Sequence, residues 1–115
     1  MNLRINGRIW LETDTTEGNE RFMGIGRLEL LGYIRETGSI NQAAKAMRMS
    51  YKRAWDLVHS MNTLAKTPLV STQTGGEKGG GAIVTEEGEK YLAYYHALQE
   101  RFQQFMIDEL TRLPH

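Results

Sequence analysis

Four consecutive residues, Ser50-Tyr51-Lys52-Arg53, place a hydroxyl, an aromatic ring and two cations within one helical turn. A helix that opens on such a turn meets base edges with its side chains and phosphates with its free backbone N–H groups. Ser50 suits both tasks, capping the helix and donating to a phosphate. Arg53 has the planar fork needed for a bidentate contact with a guanine edge, whereas Lys52 suits a phosphate equally well, and the spacing leaves the two roles open. Tyr51 either joins this face or packs beneath a neighbouring hairpin. Ser39 and Asn41 open the preceding helix, Asp56 follows one turn later, and Lys78, Gly79 and Gly80 lie in the glycine-rich loop Gly75 to Gly81. Such a loop approaches a sugar-phosphate backbone closely, with Lys78 as its cation. These ten residues are the candidate nucleic-acid-contacting set.

Other chemistries are poorly served. Lys78 is followed by three glycines and a strand-like run, not by the Ser or Thr that opens the helix of a Walker loop. Gly24-Ile25-Gly26 does not follow a convincing strand, so the dinucleotide fingerprint is not expected either. His59, His96 and His115 share no i, i+4 spacing, and with no cysteine in the chain neither a metal site nor any other cofactor is expected. Glu86, Glu87 and Glu89 are explained by the positive end of a helix, without an acid-base site. The residues do not suggest an enzyme.

The 14 Lys+Arg and 14 Asp+Glu cancel overall but are unevenly spread. Residues 1–38 carry a net charge of −1, residues 39–81 of +4 and residues 82–115 of −3. A basic middle in a neutral chain fits a polyanion-binding face confined to one side. No apolar run approaches the ~18 residues of a membrane span, and no signal-peptide block opens the chain, so a cytoplasmic protein with no membrane partner is expected.

The elements that position these residues follow from periodicity and punctuation. The expected organisation is one domain over 1–115: an N-terminal strand region and loop (1–20), a helix-turn-helix with a hairpin wing (24–85), and a long C-terminal helix (86–113). Leu3 to Glu12 alternates loosely and predicts a strand or two short ones; Thr13 to Glu20 is a polar loop. Leu28, Leu31 and Ile34 recur at helical spacing until Gly38 closes the first helix. Ser39 with Gln42 predicts a capping box for a short alanine-rich helix, and Ser50 caps the next. In that third helix Ala54, Leu57, Val58, Met61 and Leu64 form an inward stripe, Trp55 is expected in the core, and Thr67-Pro68 ends the run. Two β-branched stretches around the glycine loop form a wing. Tyr91, Tyr95, Leu98, Phe102 and Phe105 then step by four and three residues along the last helix, which predicts a seam against a partner helix, hence a homodimer. The fold class is α+β, mainly α.

Gly38-Ser39-Ile40, Ala43-Ala44-Lys45, Met49 to Asp56, Met61-Asn62, Pro68-Leu69-Val70, Thr74-Gly75-Gly76, Gly79 to Ala82 and Thr85 to Gly88 together resemble the N-terminal winged helix-turn-helix domain of ModE-type molybdate-responsive regulators, with a weaker likeness to the LysR-type DNA-binding domain. The resemblance spans roughly residues 26–100. It implies a homodimeric transcriptional regulator of double-stranded DNA, with the helix from Ser50 in the major groove and the loop Gly75 to Gly81 as wing. Family members carry C-terminal molybdate-binding domains, whereas this chain ends at His115, so molybdate sensing is not implied for it. Ser71-Thr72-Gln73 stands where a more charged run is expected, and Glu77 interrupts the positive wing. The competing reading is a protein-interaction module on the same scaffold that pairs through its last helix with a separate sensor protein.

Overall fold

The computed structural model describes residues 1–14, 16, 18–73 and 81–114. In chain order it contains β1 (Leu11–Glu12), β2 (Arg21–Met23), α1 (Ile25–Thr37), α2 (Ile40–Ala46), α3 (Tyr51–Leu64), β3 (Val70–Gln73), β4 (Gly81–Val84) and α4 (Glu86–Leu110). Three helices, a two-stranded antiparallel wing and a long terminal helix make this a winged helix-turn-helix.

The helix boundaries are set by local chemistry. Gly38 ends α1 in the left-handed region at φ 69°, which a residue without Cβ adopts freely, and donates its N–H to the Ile34 carbonyl at 2.8 Å. Ser39 Oγ accepts the Gln42 N–H at 3.1 Å and so caps α2. The expected capping box is only half made, because the Ser39 N–H donates to Thr37 Oγ1 at 3.2 Å. Arg48, at φ 57°, turns the chain between α2 and α3. Ser50 Oγ then accepts the Arg53 N–H at 3.0 Å, and α3 starts. The helix stops at Leu64, four residues before Pro68.

Leu30, Leu31 and Ile34 of α1, Ala43 and Ala44 of α2, and Ala54, Val58 and Met61 of α3 are buried together, and the alanines let the helices approach closely. The wing pairs Val70 with Val84 and Thr72 with Ala82; Ala82 donates its N–H to the Gly38 carbonyl at 2.9 Å, so the hairpin is stitched to the end of α1. Asn62 ties α3 to the same hairpin through both sides of its carboxamide. Thr85 caps α4 by accepting the Gly88 N–H at 3.1 Å and donates its own hydroxyl to Pro68 O at 2.7 Å. Gly88 sits so close to Leu69 that a Cβ there would collide with the Leu69 carbonyl oxygen.

Three expectations are corrected. The strand expected over Leu3 to Glu12 is reduced to Leu11–Glu12, which pairs with Arg21–Met23 across the polar loop. Residues 1–10 form no strand; they run along α4, with Gly7 against the Phe102 ring and the Tyr95 hydroxyl donating to the Ile9 carbonyl. Tyr91 and Tyr95 are therefore not free for a partner helix. Tyr95 is 1% exposed within its own chain, and Tyr91 packs edge-on against Phe22 with ring centroids 5.0 Å apart. Trp55, expected in the core, is 43% exposed and stacks on His59 at 5.1 Å.

Candidate nucleic-acid interface

The side of α3 opposite Ala54, Val58 and Met61 is open. Lys52, Asp56, His59 and Thr63 run along it at helical spacing and are all exposed. Tyr51, 52% exposed, and Trp55 flank this strip on one side; Arg53 flanks it on the other, toward the start of α1. The Ser50 hydroxyl spends its oxygen lone pair on the cap and keeps its hydrogen for a ligand.

Lys52 Nζ lies 3.0 Å from Asp56 Oδ2, an i, i+4 pair on a side chain that is 86% exposed. Such exposed pairs are worth a few tenths of a kcal/mol. Lys52 is thus held in place without being neutralised for good, and a phosphate can displace the carboxylate. Arg53 makes no ion pair among the described residues and lines a cavity shared with Arg27. The two cations face different ways, a division that the sequence left open.

Ser39 is half-buried at its cap, and Asn41 is exposed on the first turn of α2. Ser39, Asn41 and Ser50 thus stand at the two helix starts of the helix-turn-helix. Lys78, Gly79 and Gly80 lie outside the described residues; the strands that lead to them, β3 and β4, are in place beside α1. Sequence reasoning missed Arg8, Arg21 and Arg27, which gather near Arg53 although they come from three separate segments. It also missed β2, which leads directly into Gly24-Ile25-Gly26 and α1. The dinucleotide fingerprint is still absent, because Glu29 stands where its third glycine would be and β2 pairs only with the antiparallel β1.

No family model matches the chain. It is similar to the molybdenum transport protein ModE of Azotobacter vinelandii, 41% identical over 108 residues that cover 94% of this chain and 38% of that protein. It is also similar to the DNA-binding transcriptional dual regulator ModE of Escherichia coli K12, 42% identical over 85 residues covering 74% of this chain and 32% of that one. The resemblance is to part of each. The chain spans less than two fifths of the length of these relatives. Among solved structures, the full-length LysR-type regulator LysG of Corynebacterium glutamicum with bound effector Arg superposes with a TM-score of 0.56 at 23% identity, over 80% of this chain and 31% of that one, a likeness of fold. The sequence matches show a likeness to part of ModE proteins, and the structural match shows the winged helix-turn-helix fold.

Proposed function

We propose that this chain is the DNA-binding part of a non-enzymatic transcriptional regulator, working in the cytoplasm as a homodimer that reads an inverted repeat. The observation that carries the reading is the open first turn of α3, where Ser50, Lys52 and Arg53 are exposed. Similarity to proteins named as DNA-binding transcriptional regulators supports a general role of this kind. In the proposed complex α3 enters the major groove, Lys52 exchanges Asp56 for a phosphate or base, and α2 approaches the backbone with Asn41. The wing, with Lys78, Gly79 and Gly80, reaches the adjoining sugar-phosphate chain. Two copies joined through α4 present two such helices to half-sites about 34 Å apart or a multiple of it.

The test is a salt series. Replacing Lys52 and Arg53 together with alanine weakens operator binding and lowers the slope of log K against log salt by about two, since two phosphate or base contacts are lost. Unchanged affinity at several salt concentrations overturns the assignment. The exposed apolar residues of α4, Tyr94, Phe105 and Ile107, also favour a second reading, an interaction module that pairs with a separate sensor protein. A shift assay separates the two, because a pure interaction module shows no preference for any duplex over competitor.

A further inference from the structure

Between the start of α1, the first turns of α3 and residues 8–10 lies a cavity of about 290 Å³. Four guanidinium-bearing side chains line it, Arg8, Arg21, Arg27 and Arg53, and no carboxylate does. None of the four forms an ion pair among the described residues, although Arg35 and Arg112 elsewhere do. Four like charges around one concavity repel one another, and no carboxylate in the lining pairs with them.

Two of the four are held by neighbours. Arg27 is half-buried and anchors one nitrogen by donating to the Phe22 carbonyl at 3.1 Å, which leaves the rest of its fork for the cavity. Arg21 lies over the Trp10 ring, 4.4 Å from its centre. At the inner wall α1 begins on Gly24, which has no side chain to cap the helix, and no acidic residue occupies its first turn. The backbone N–H groups there add partial positive charge to the same space. The Arg27 guanidinium is held below its ordinary pKa, first by burial and then by the charges of Arg21 and Arg53, with Glu20 opposing weakly. A bound dianion would relieve that repulsion.

We propose that this cavity binds a phosphate-type oxyanion. Planar forks match a tetrahedral oxyanion in bidentate fashion, and a volume near the lower limit of ligand pockets, about 300 Å³, suits a phosphate group or a small phosphate-bearing molecule better than a large cofactor. The phosphate comes either from a free anion or from the backbone of DNA lying against Arg53. With a free anion the site goes beyond the regulator reading; with a backbone phosphate it rests on that reading and deepens it.

The full chain, in a chloride buffer of fixed low ionic strength, is titrated with inorganic phosphate and with pyrophosphate while the amide resonances of Gly24, Ile25 and Gly26 are followed. Saturable shifts confined to these amides and their neighbours are expected, with affinity about tenfold weaker in Arg27→Gln and in Arg21→Gln. Arg21 is exposed, so its variant tests the site even if Arg27→Gln folds poorly. A duplex arm then assigns the source. If pyrophosphate weakens DNA binding at constant ionic strength in the native chain but not in Arg21→Gln, the cavity takes a backbone phosphate. If the two bind together, it takes the free anion. If neither anion saturates but both variants lose DNA affinity, the backbone phosphate is the occupant. Shifts no different from those of added chloride, together with unchanged DNA affinity in both variants, overturn the proposal. Because Arg53 also lines the cavity, the DNA-binding reading is tested apart from it by Lys52→Ala alone, so either idea can fail without the other.

Discussion

Asn62 serves the fold at a position where its helix otherwise turns polar residues to solvent. Its Oδ1 accepts the N–H groups of Leu69, at 2.8 Å, and Val70, at 3.1 Å, while its Nδ2 donates to the Val70 carbonyl at 2.9 Å. These bonds take over backbone groups of β3 that β4 does not reach, and they fix the wing against the end of α3. Asn62→Ala leaves those groups of buried Leu69 and Val70 short of partners and is expected to lower stability by about 2 kcal/mol. The measurement is a urea titration: the midpoint falls while the slope stays unchanged. An unchanged midpoint would show that water replaces the carboxamide at no cost. Lys52 is the opposite case, since its pair with Asp56 is exposed and weak, so the same kind of deletion there changes binding far more than folding.

At the scale of elements, what could be read from sequence was what adjacent residues decide. Gly38, Ser39 and Ser50 act on backbone groups three or four residues away, so the ends of α1 and the starts of α2 and α3 followed from type and spacing alone. The missed features depend on distant partners. Periodicity marked an apolar face on α4 but not its cover, and Phe22 together with residues 1–10 takes Tyr91, Tyr95 and Phe102 out of the expected seam. Trp55 lies beside an apolar stripe whose small members already fill the space against α1 and α2, so its ring stays outside on His59. The anion cavity was hidden for the same reason, its arginines coming from the N-terminal segment, β2, α1 and α3. The bond from Tyr95 to Ile9 supplies a test of how residues 1–10 are held. Burial raises the Tyr95 pKa above its ordinary value, with Arg21 pulling weakly the other way. The folded state therefore favours the neutral phenol; that stabilisation is complete below the unfolded pKa, about 10, and is lost as pH rises through the higher folded value. Tyr95→Phe is expected to lose about 1 kcal/mol at neutral pH and to show a smaller drop in thermal midpoint than the native chain above pH 10. Equal alkaline losses in the two proteins would place the sensitive group elsewhere.

The molecule as a whole measures 64 × 34 × 24 Å, and this elongation bears on its assembly. Its long helix, 25 residues and about 37 Å, extends past the helical core with residues 1–10 along one side only. Tyr94 and Phe105 stand eleven residues apart, three turns, and so lie on one line of that helix, 51% and 59% exposed, with half-buried Leu98 between them. Met1, Leu3 and Ile5 are exposed as well. Apolar side chains aligned on a protruding helix gain most by meeting a second copy, and a two-fold pairing sets two α3 helices at a fixed separation. The expected dimer face is thus the Tyr94, Leu98 and Phe105 line, which keeps Leu98 and Phe105 from the seam that periodicity suggested and leaves out Tyr91, Tyr95 and Phe102. Phe105→Glu places a charge on that line without touching a buried residue. Sedimentation equilibrium is expected to show a dimer for the native chain and a monomer for the variant at the same concentration, with thermal unfolding of the variant now independent of concentration. DNA binding by the variant should fall to that of a single half-site. A native chain that sediments as a monomer at every concentration, or a Phe105→Glu protein that stays dimeric, would remove this line of α4 from the interface and leave α3 without its fixed spacing.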